Sequence, residues 1–217
     1  MHMRYLRITP LIQHQRQIQY LHLLNLLSIA LLLVSFSNAG AGEKQLANIT
    51  DIMDHSVELA ADVLSVTKGL RFKDVVINHN YADNLPQLRC HVPELQQVFL
   101  SLFRYSCHAL GKIEDPKHKP SINIEISEFY DAVWVRIQHN GLGISTEEQQ
   151  LLFEPFFASS HATDNGEQQS AGERLSFAQF IIAEQHQGKI TVTSDINIGT
   201  TFHIQLPYLA TAEAEVS

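Results

Sequence analysis

The sequence predicts a two-layer α/β sandwich, a mixed sheet packed on helices, with an N-terminal helical segment in front of it. Three observations predict it. Apolar residues recur at helical spacing in some stretches and alternate with polar ones in others. These stretches follow one another as helix, strand, strand, helix, two strands, loop, helix, two strands. Each helix has one apolar face and must bury it, and the alternating strands supply the sheet on which it can do so.

The apolar fraction of 45% over 217 residues is that of a globular chain, enough for one domain of ordinary size and an appendage. The net charge of −8, without any Lys/Arg block, argues against nucleic acid as a partner, because nothing would offset phosphate repulsion. Cys90 and Cys107 read as small buried hydrophobes with free thiols in a reducing compartment.

From Gln17 to Gly42 there is no Asp, Glu, Lys or Arg, and Leu21 to Phe36 is apolar apart from His22, Asn25, Ser28 and Ser35. Three readings stay open. A membrane span would need about 20 apolar residues, more than this run offers. A secretory signal has a basic first section, here Arg4, Arg7 and Arg16, and a small-residue exit such as Ala39-Gly40-Ala41. A helix buried against a second copy tolerates scattered polar residues and needs no membrane. The domain boundaries come from the change of texture: residues 1–45 form the apolar segment, 46–210 the folded domain and 211–217 an acidic tail.

In the folded part, Ile49 to Gly69 has a helical rhythm, opened by Thr50 or Asp51 and closed by Gly69. FKDVVINHNY reads as a strand, and NLPQLRCHV as a turn into a short one. PELQQVFLSLFRYSCHALGK is the clearest helix. Pro93 suits its first turn, Gly111 its end, and Leu95, Val98, Phe99, Leu102, Phe103 and Cys107 share a face. SINIEISEF and AVWVRIQHN alternate about Tyr130-Asp131 and form a hairpin. A short acidic helix, Thr146 to Leu152, leads to FEPFFASS and then to a polar stretch, His161 to Glu173, whose composition is that of a mobile loop. A helix from about Leu175 to His186 and the strands KITVTS and TTFHIQLP, hinged on Gly199, complete the chain.

From about Ile49 to Pro207 the motifs stand in a telling order: ELQQVFLSLF on a helix, HNGLG after a strand, LFEPFF, a polar stretch, AGERLSFAQFIIAEQHQGKI and GTTFHIQLP. In this order the chain resembles the ATP-binding domain of sensor histidine kinases, of the GHKL or Bergerat fold shared with DNA gyrase and MutL. The motifs match that family's first nucleotide helix, first glycine box, phenylalanine box, lid, second glycine box and closing strand in turn. The segment from Leu32 to Ala60 also resembles the end of a dimerisation hairpin running into the catalytic domain, which weakens the secretory reading.

The resemblance implies a nucleotide site made of Ser101, Tyr105, His108, His139, Gly141, Gly143, Phe153, Phe156, Phe157, Gly172, Arg174 and Thr200. Three of its positions depart from the family. Where the family has an Asp that accepts from the adenine amino group, the chain has His139, which can accept only through an unprotonated nitrogen. Where the family has an Asn that ligates Mg²⁺, with another one turn earlier, the chain has Tyr105 and Ser101. A phenol is a poor magnesium ligand. After Gly172, where bare backbone N–H groups should meet phosphates, stand Glu173, which opposes a polyphosphate, and Arg174, which attracts one but blocks close approach. His2, His14, His22 and His55 are followed by Met, Gln, Leu and Ser, so no phosphoacceptor motif of the family is visible.

The resemblance and these departures together imply a two-component signalling protein with weak ATP binding, Mg²⁺ binding in question and no catalytic residue, a pseudokinase or scaffold. Two alternatives stand beside it, a divergent kinase that still transfers phosphate and an anti-sigma-factor type switch. The implied partners are a second copy through the N-terminal helix and a response regulator or partner kinase, and the implied location is cytoplasmic, with membrane contact through residues 21–36 as the alternative. No dedicated metal site is expected, since no two of the twelve histidines stand at i, i+4.

Overall fold

A computed structural model describes residues 43–64, 70–154 and 169–208, with side chains from Leu175 onward in the last stretch. The N-terminal apolar segment, Phe156, Phe157, most of the polar stretch and the acidic tail lie outside the described residues.

The main sheet has five strands: β2 (Val76–Tyr81), β4 (Ser121–Phe129), β5 (Ala132–His139), β6 (Lys189–Asp195) and β7 (Gly199–Pro207). Their spatial order is β2-β4-β5-β7-β6, with β2 parallel to β4 and every other pair antiparallel. Alternation does what the sequence expects. Ile122, Ile124 and Ile126 on β4, Val133, Val135 and Ile137 on β5, and Phe202, Ile204 and Leu206 on β7 are buried on one face. The β4–β5 turn is the two-residue one, with Tyr130 at φ 47° and Asp131 at φ 53°, the left-handed pair that matches strand twist.

The helices cover that buried face. α1 (Ile49–Val63) packs on α2 (Val92–Leu110), which in turn packs on α4 (Gln169–Phe180) and reaches β5 and β7. All six residues expected on the apolar face of α2 are buried, and Phe99, Leu102 and Phe103 are fully so. Complete burial of one such side chain stabilises by roughly 1.5–3 kcal/mol. Cys90 and Cys107 are buried free thiols, and burial pushes them up to about 11 and about 12.

Four details differ from the sequence reading. A short strand β1 (Gln45–Ala47) pairs antiparallel with β3 (Leu88–Cys90) in a separate two-stranded sheet. α1 is capped at Asn48, two to three residues before the expected cap, and ends at Val63. Gly111 caps α2 in the right-handed region, at φ −68°, so its freedom for positive φ is not what ends the helix. The last helix begins at Gln169, six residues before Leu175, and its continuation Ile181–Gln185 is a π turn. Gln, Ala, Glu and Arg are good helix formers, so a polar composition there does not by itself specify a loop.

Candidate functional site

The site is built where β5 stops. Strand register puts Ile122, His139, Thr200 and Ser194 in one row across the sheet, at the end of its buried face. A position that is isoleucine on β4 is therefore histidine on β5. His139 is 0% exposed.

Beyond His139 the backbone has little freedom. The Asn140 side chain ties the turn to β4, its Oδ1 accepting the Ser121 N–H at 2.8 Å and its Nδ2 donating to the Lys119 carbonyl at 2.9 Å. A Cβ on Gly141 would stand 2.5 Å from the Leu110 nitrogen, so only glycine lets this loop lie on the end of α2. The Leu142 N–H then donates to the Ala109 carbonyl at 3.0 Å. Gly143 makes the same close approach to Asp195. Gly199 has φ +122°, and a Cβ there would collide with the His139 carbonyl oxygen. Three glycines thus let the turn after His139 lie close on α2, on the end of β6 and on the start of β7.

The same crowding decides the histidine's chemistry. The Gly141 N–H donates to His139 Nδ1 at 3.1 Å. A neutral imidazole has one protonated nitrogen, so Nε2 carries the hydrogen. That Nε2 has no hydrogen-bond partner. Burial lowers the imidazole to about 4, which keeps it neutral at pH 7. Next to it, Thr200 is buried and its hydroxyl meets Ser194 Oγ at 2.8 Å. Ser194 Oγ in turn donates to the Gly199 carbonyl and accepts the Ile144 N–H. In this row of the sheet, His139 Nε2–H is left as the uncommitted donor.

A family model described as histidine kinase-, DNA gyrase B-, and HSP90-like ATPase matches residues 91–210. The chain belongs to this family. Sensor histidine kinase ZraS of Salmonella typhimurium is 28% identical over 76% of this chain and 32% of its own length, and sporulation kinase E of Bacillus subtilis is 28% identical over 76% and 20%. The chain spans about a third or less of these relatives. Among solved structures, the catalytic domain of histidine kinase ThkA superposes with TM-score 0.60 at 20% identity, covering 77% of this chain and 97% of that one. Acinetobacter baumannii histidine kinase AdeS superposes with TM-score 0.62 at 16% identity over 94% and 87%. These confirm the Bergerat-type arrangement of a mixed sheet and covering helices.

Within this ATPase-family domain, α2 brings Tyr105 to the histidine. The two ring centroids are 6.0 Å apart, and Tyr105 also meets Phe202 edge to face at 5.4 Å. Burial, helped by the charge of Glu148, raises the phenol above its ordinary pKa, so it stays protonated. Ser101, one turn earlier, spends its hydroxyl on the Gln97 carbonyl at 2.8 Å. His108 is partly buried on the same helix and Phe153 is buried at the end of α3 (Thr146–Leu151). The second glycine box differs from its expected form: Gly172, Glu173 and Arg174 belong to the backbone of α4 instead of a loop before it. Among the described residues no group of three His, Cys, Asp or Glu is placed to hold a metal ion.

Sequence reasoning missed the residues that fasten the site. Ser145 caps α3 in a reciprocal box with Glu148, a pairing that Ser-Thr-Glu-Glu announces in the sequence. Gln149 both accepts the Ser194 N–H and donates to the Ser194 carbonyl, each at 3.0 Å, fixing α3 to β6. Nothing local in the sequence signals that pairing, which spans 45 residues.

Proposed function

We propose that this domain keeps the histidine-kinase ATPase scaffold but binds Mg²⁺·ATP weakly, and that it acts in two-component signalling as a pseudokinase or scaffold. The observation that carries the reading is the hydrogen bond from Gly141 to His139 Nδ1. It uses the only nitrogen that could accept and leaves a donor where the family's Asp accepts the adenine amino group. Two donors facing each other in a dry site repel, and neither finds its partner. At the position of the family's magnesium-ligating Asn stands a protonated Tyr105 whose ring packs against His139 and Phe202, so the described residues do not fit the ion.

A binding partner is part of the proposal. Histidine kinase ThkA has been solved in complex with response regulator protein TrrA, and the present chain superposes on that kinase with TM-score 0.59 at 21% identity. A response regulator, or a kinase whose activity this domain modulates, is the partner we assign, with homodimerisation through the N-terminal segment and a cytoplasmic location. Among the described residues no helix is long and apolar enough to cross a membrane.

Isothermal titration of the full-length chain with ATP, with and without Mg²⁺, tests the reading. A dissociation constant of about millimolar or weaker, indifferent to Mg²⁺, is the expected result. Micromolar, Mg²⁺-dependent binding would replace the pseudokinase by a divergent kinase.

A further inference from the structure

The unpartnered nitrogen of His139 does more than weaken one ligand, because a donor that rejects one base selects another. Nearly all buried polar groups in folded proteins have partners, and each exception calls for an explanation such as a ligand. His139 is 0% exposed, its Nδ1 is committed to Gly141, and its Nε2 is one of three orphaned buried side-chain atoms among the described residues. The neighbouring Thr200 hydroxyl is bonded to Ser194 and makes no hydrogen bond to it. The imidazole is held on its Nδ1 side by the Gly141 N–H, in a turn that lies close against the end of α2.

We infer that the base end of this site selects a nucleobase with a keto oxygen where adenine has its amino group, a 6-oxopurine, with His139 Nε2–H donating to that oxygen. This rests on the proposed function, in which the site is the altered nucleotide site of the family. The chemistry is that of a complementary pair. A 6-amino group presents a hydrogen to a hydrogen; a 6-oxo group presents a lone pair. Sites built to hydrogen-bond one exocyclic group discriminate strongly against a ligand that leaves a buried polar group unpaired. Tyr105, protonated and packed on Phe202, adds an aromatic wall beside the imidazole but no metal ligand, so the selected nucleotide need not arrive with Mg²⁺.

Inosine triphosphate and ATP differ at the purine 6-position and at the adjacent ring nitrogen, which makes them the probes. Full-length protein is titrated with each, with and without Mg²⁺, and the His139 side-chain nitrogens are followed by ¹⁵N NMR in the same samples. The expected result is inosine triphosphate binding about tenfold or more tighter than ATP, the factor that one correctly paired buried hydrogen bond is worth. The Nε2–H resonance should shift with inosine triphosphate, and His139→Asp should reverse the order of the two nucleotides. Equal binding, a preference for ATP, or binding of neither overturns the inference. The wild-type ratio and the Nε2–H shift decide it even where His139→Asp does not fold. The two readings fail separately. Mg²⁺-dependent tight binding of inosine triphosphate would keep the base selection and remove the impairment, whereas binding of neither nucleotide would do the reverse.

Discussion

Two histidines are buried among the described residues, and they differ in how completely they are bonded. His186, at the end of the π turn, is 7% exposed; its Nδ1–H donates to the Ile181 carbonyl at 3.0 Å and its Nε2 accepts the His91 N–H at 3.1 Å. His139, at the end of β5, has one nitrogen bonded and one orphaned. Burial lowers the pKa of both, so both are neutral. The first is therefore a joint between α2 and the last helix, satisfied by the fold itself. The second is satisfied only on the side where the glycine turn lies. Burial alone does not distinguish a structural histidine from a ligand-facing one, but the hydrogen-bond inventory does.

The largest effect expected from this contrast is in ligand binding. Combining His139→Asp with Tyr105→Asn converts the donor to an acceptor and supplies an amide oxygen for the metal. Each restored contact to a charged group is worth about 1.5–3 kcal/mol, so ATP affinity with Mg²⁺ should rise by roughly two to four orders of magnitude. Because both groups act on one ligand, the double variant should gain more than the sum of the single ones. Calorimetry on the four proteins measures this directly, and no gain in the double variant would mean that the scaffold itself no longer admits the nucleotide.

The next effect is on stability in acid. His139 sits at about 4 when folded against an ordinary value of 6.5. A depressed folded pKa means that the unfolded chain takes up the proton first as pH falls. The contribution of neutral His139 is thus fully present above pH 6.5, declines between 6.5 and about 4, and stays lost below that. The loss is on the order of 3 kcal/mol, at 1.36 kcal/mol per pKa unit. Urea titrations at pH 7.5, 5.5 and 4 should show it, and His139→Gln should flatten the profile. Burial lowers His186 and His203 as well, and both bend the curve in the same direction, so an unchanged slope in His139→Gln would transfer the effect to these two histidines.

Much of the fold was legible in the sequence. The apolar face of α2, the alternation of β4, β5 and β7 and the turn at Tyr130-Asp131 could all be read, because each is a local pattern whose period survives into the fold. β1 could not. Three residues become a strand only through Leu88 to Cys90, more than forty positions away. The π turn was missed because a shift of one residue in hydrogen bonding, here from His186 N–H to the Ile181 carbonyl, leaves no mark on composition. In the site, the replacement of an acid by His139 could be read directly. Which nitrogen would be left free could not, since that depends on a contact two residues on, made by the backbone of Gly141.

A third test removes the satisfied histidine. His186→Leu leaves the part-buried His91 N–H without its acceptor, while the Ile181 carbonyl keeps the His186 backbone N–H at 3.2 Å. One orphaned donor costs about 1–3 kcal/mol, so a destabilisation near 2 kcal/mol is expected in chemical denaturation. A change under about 0.5 kcal/mol would show that water satisfies His91 and that the joint between α2 and the last helix is dispensable.

The smallest effect separates the two ways in which His91 touches His186. The rings meet edge to face with centroids 5.9 Å apart, and the hydrogen bond to His186 Nε2 comes from the backbone of His91. His91→Ala deletes the ring and keeps the hydrogen bond. The His91 carbonyl still accepts the N–H groups of Glu94 and Leu95, both at 3.1 Å, and the lost side chain makes no cap of its own, so the start of α2 should survive. What remains is the ring contact, worth about 0.5–1.5 kcal/mol for a good aromatic pair and at the low end for one partly exposed. His91→Ala should therefore destabilise by about 0.5 kcal/mol, several times less than His186→Leu. If both variants lose the same amount, the rings and not the backbone donor hold the joint. His186 would then be packed in place like any apolar side chain, and the completeness of its bonding would no longer set it apart from His139.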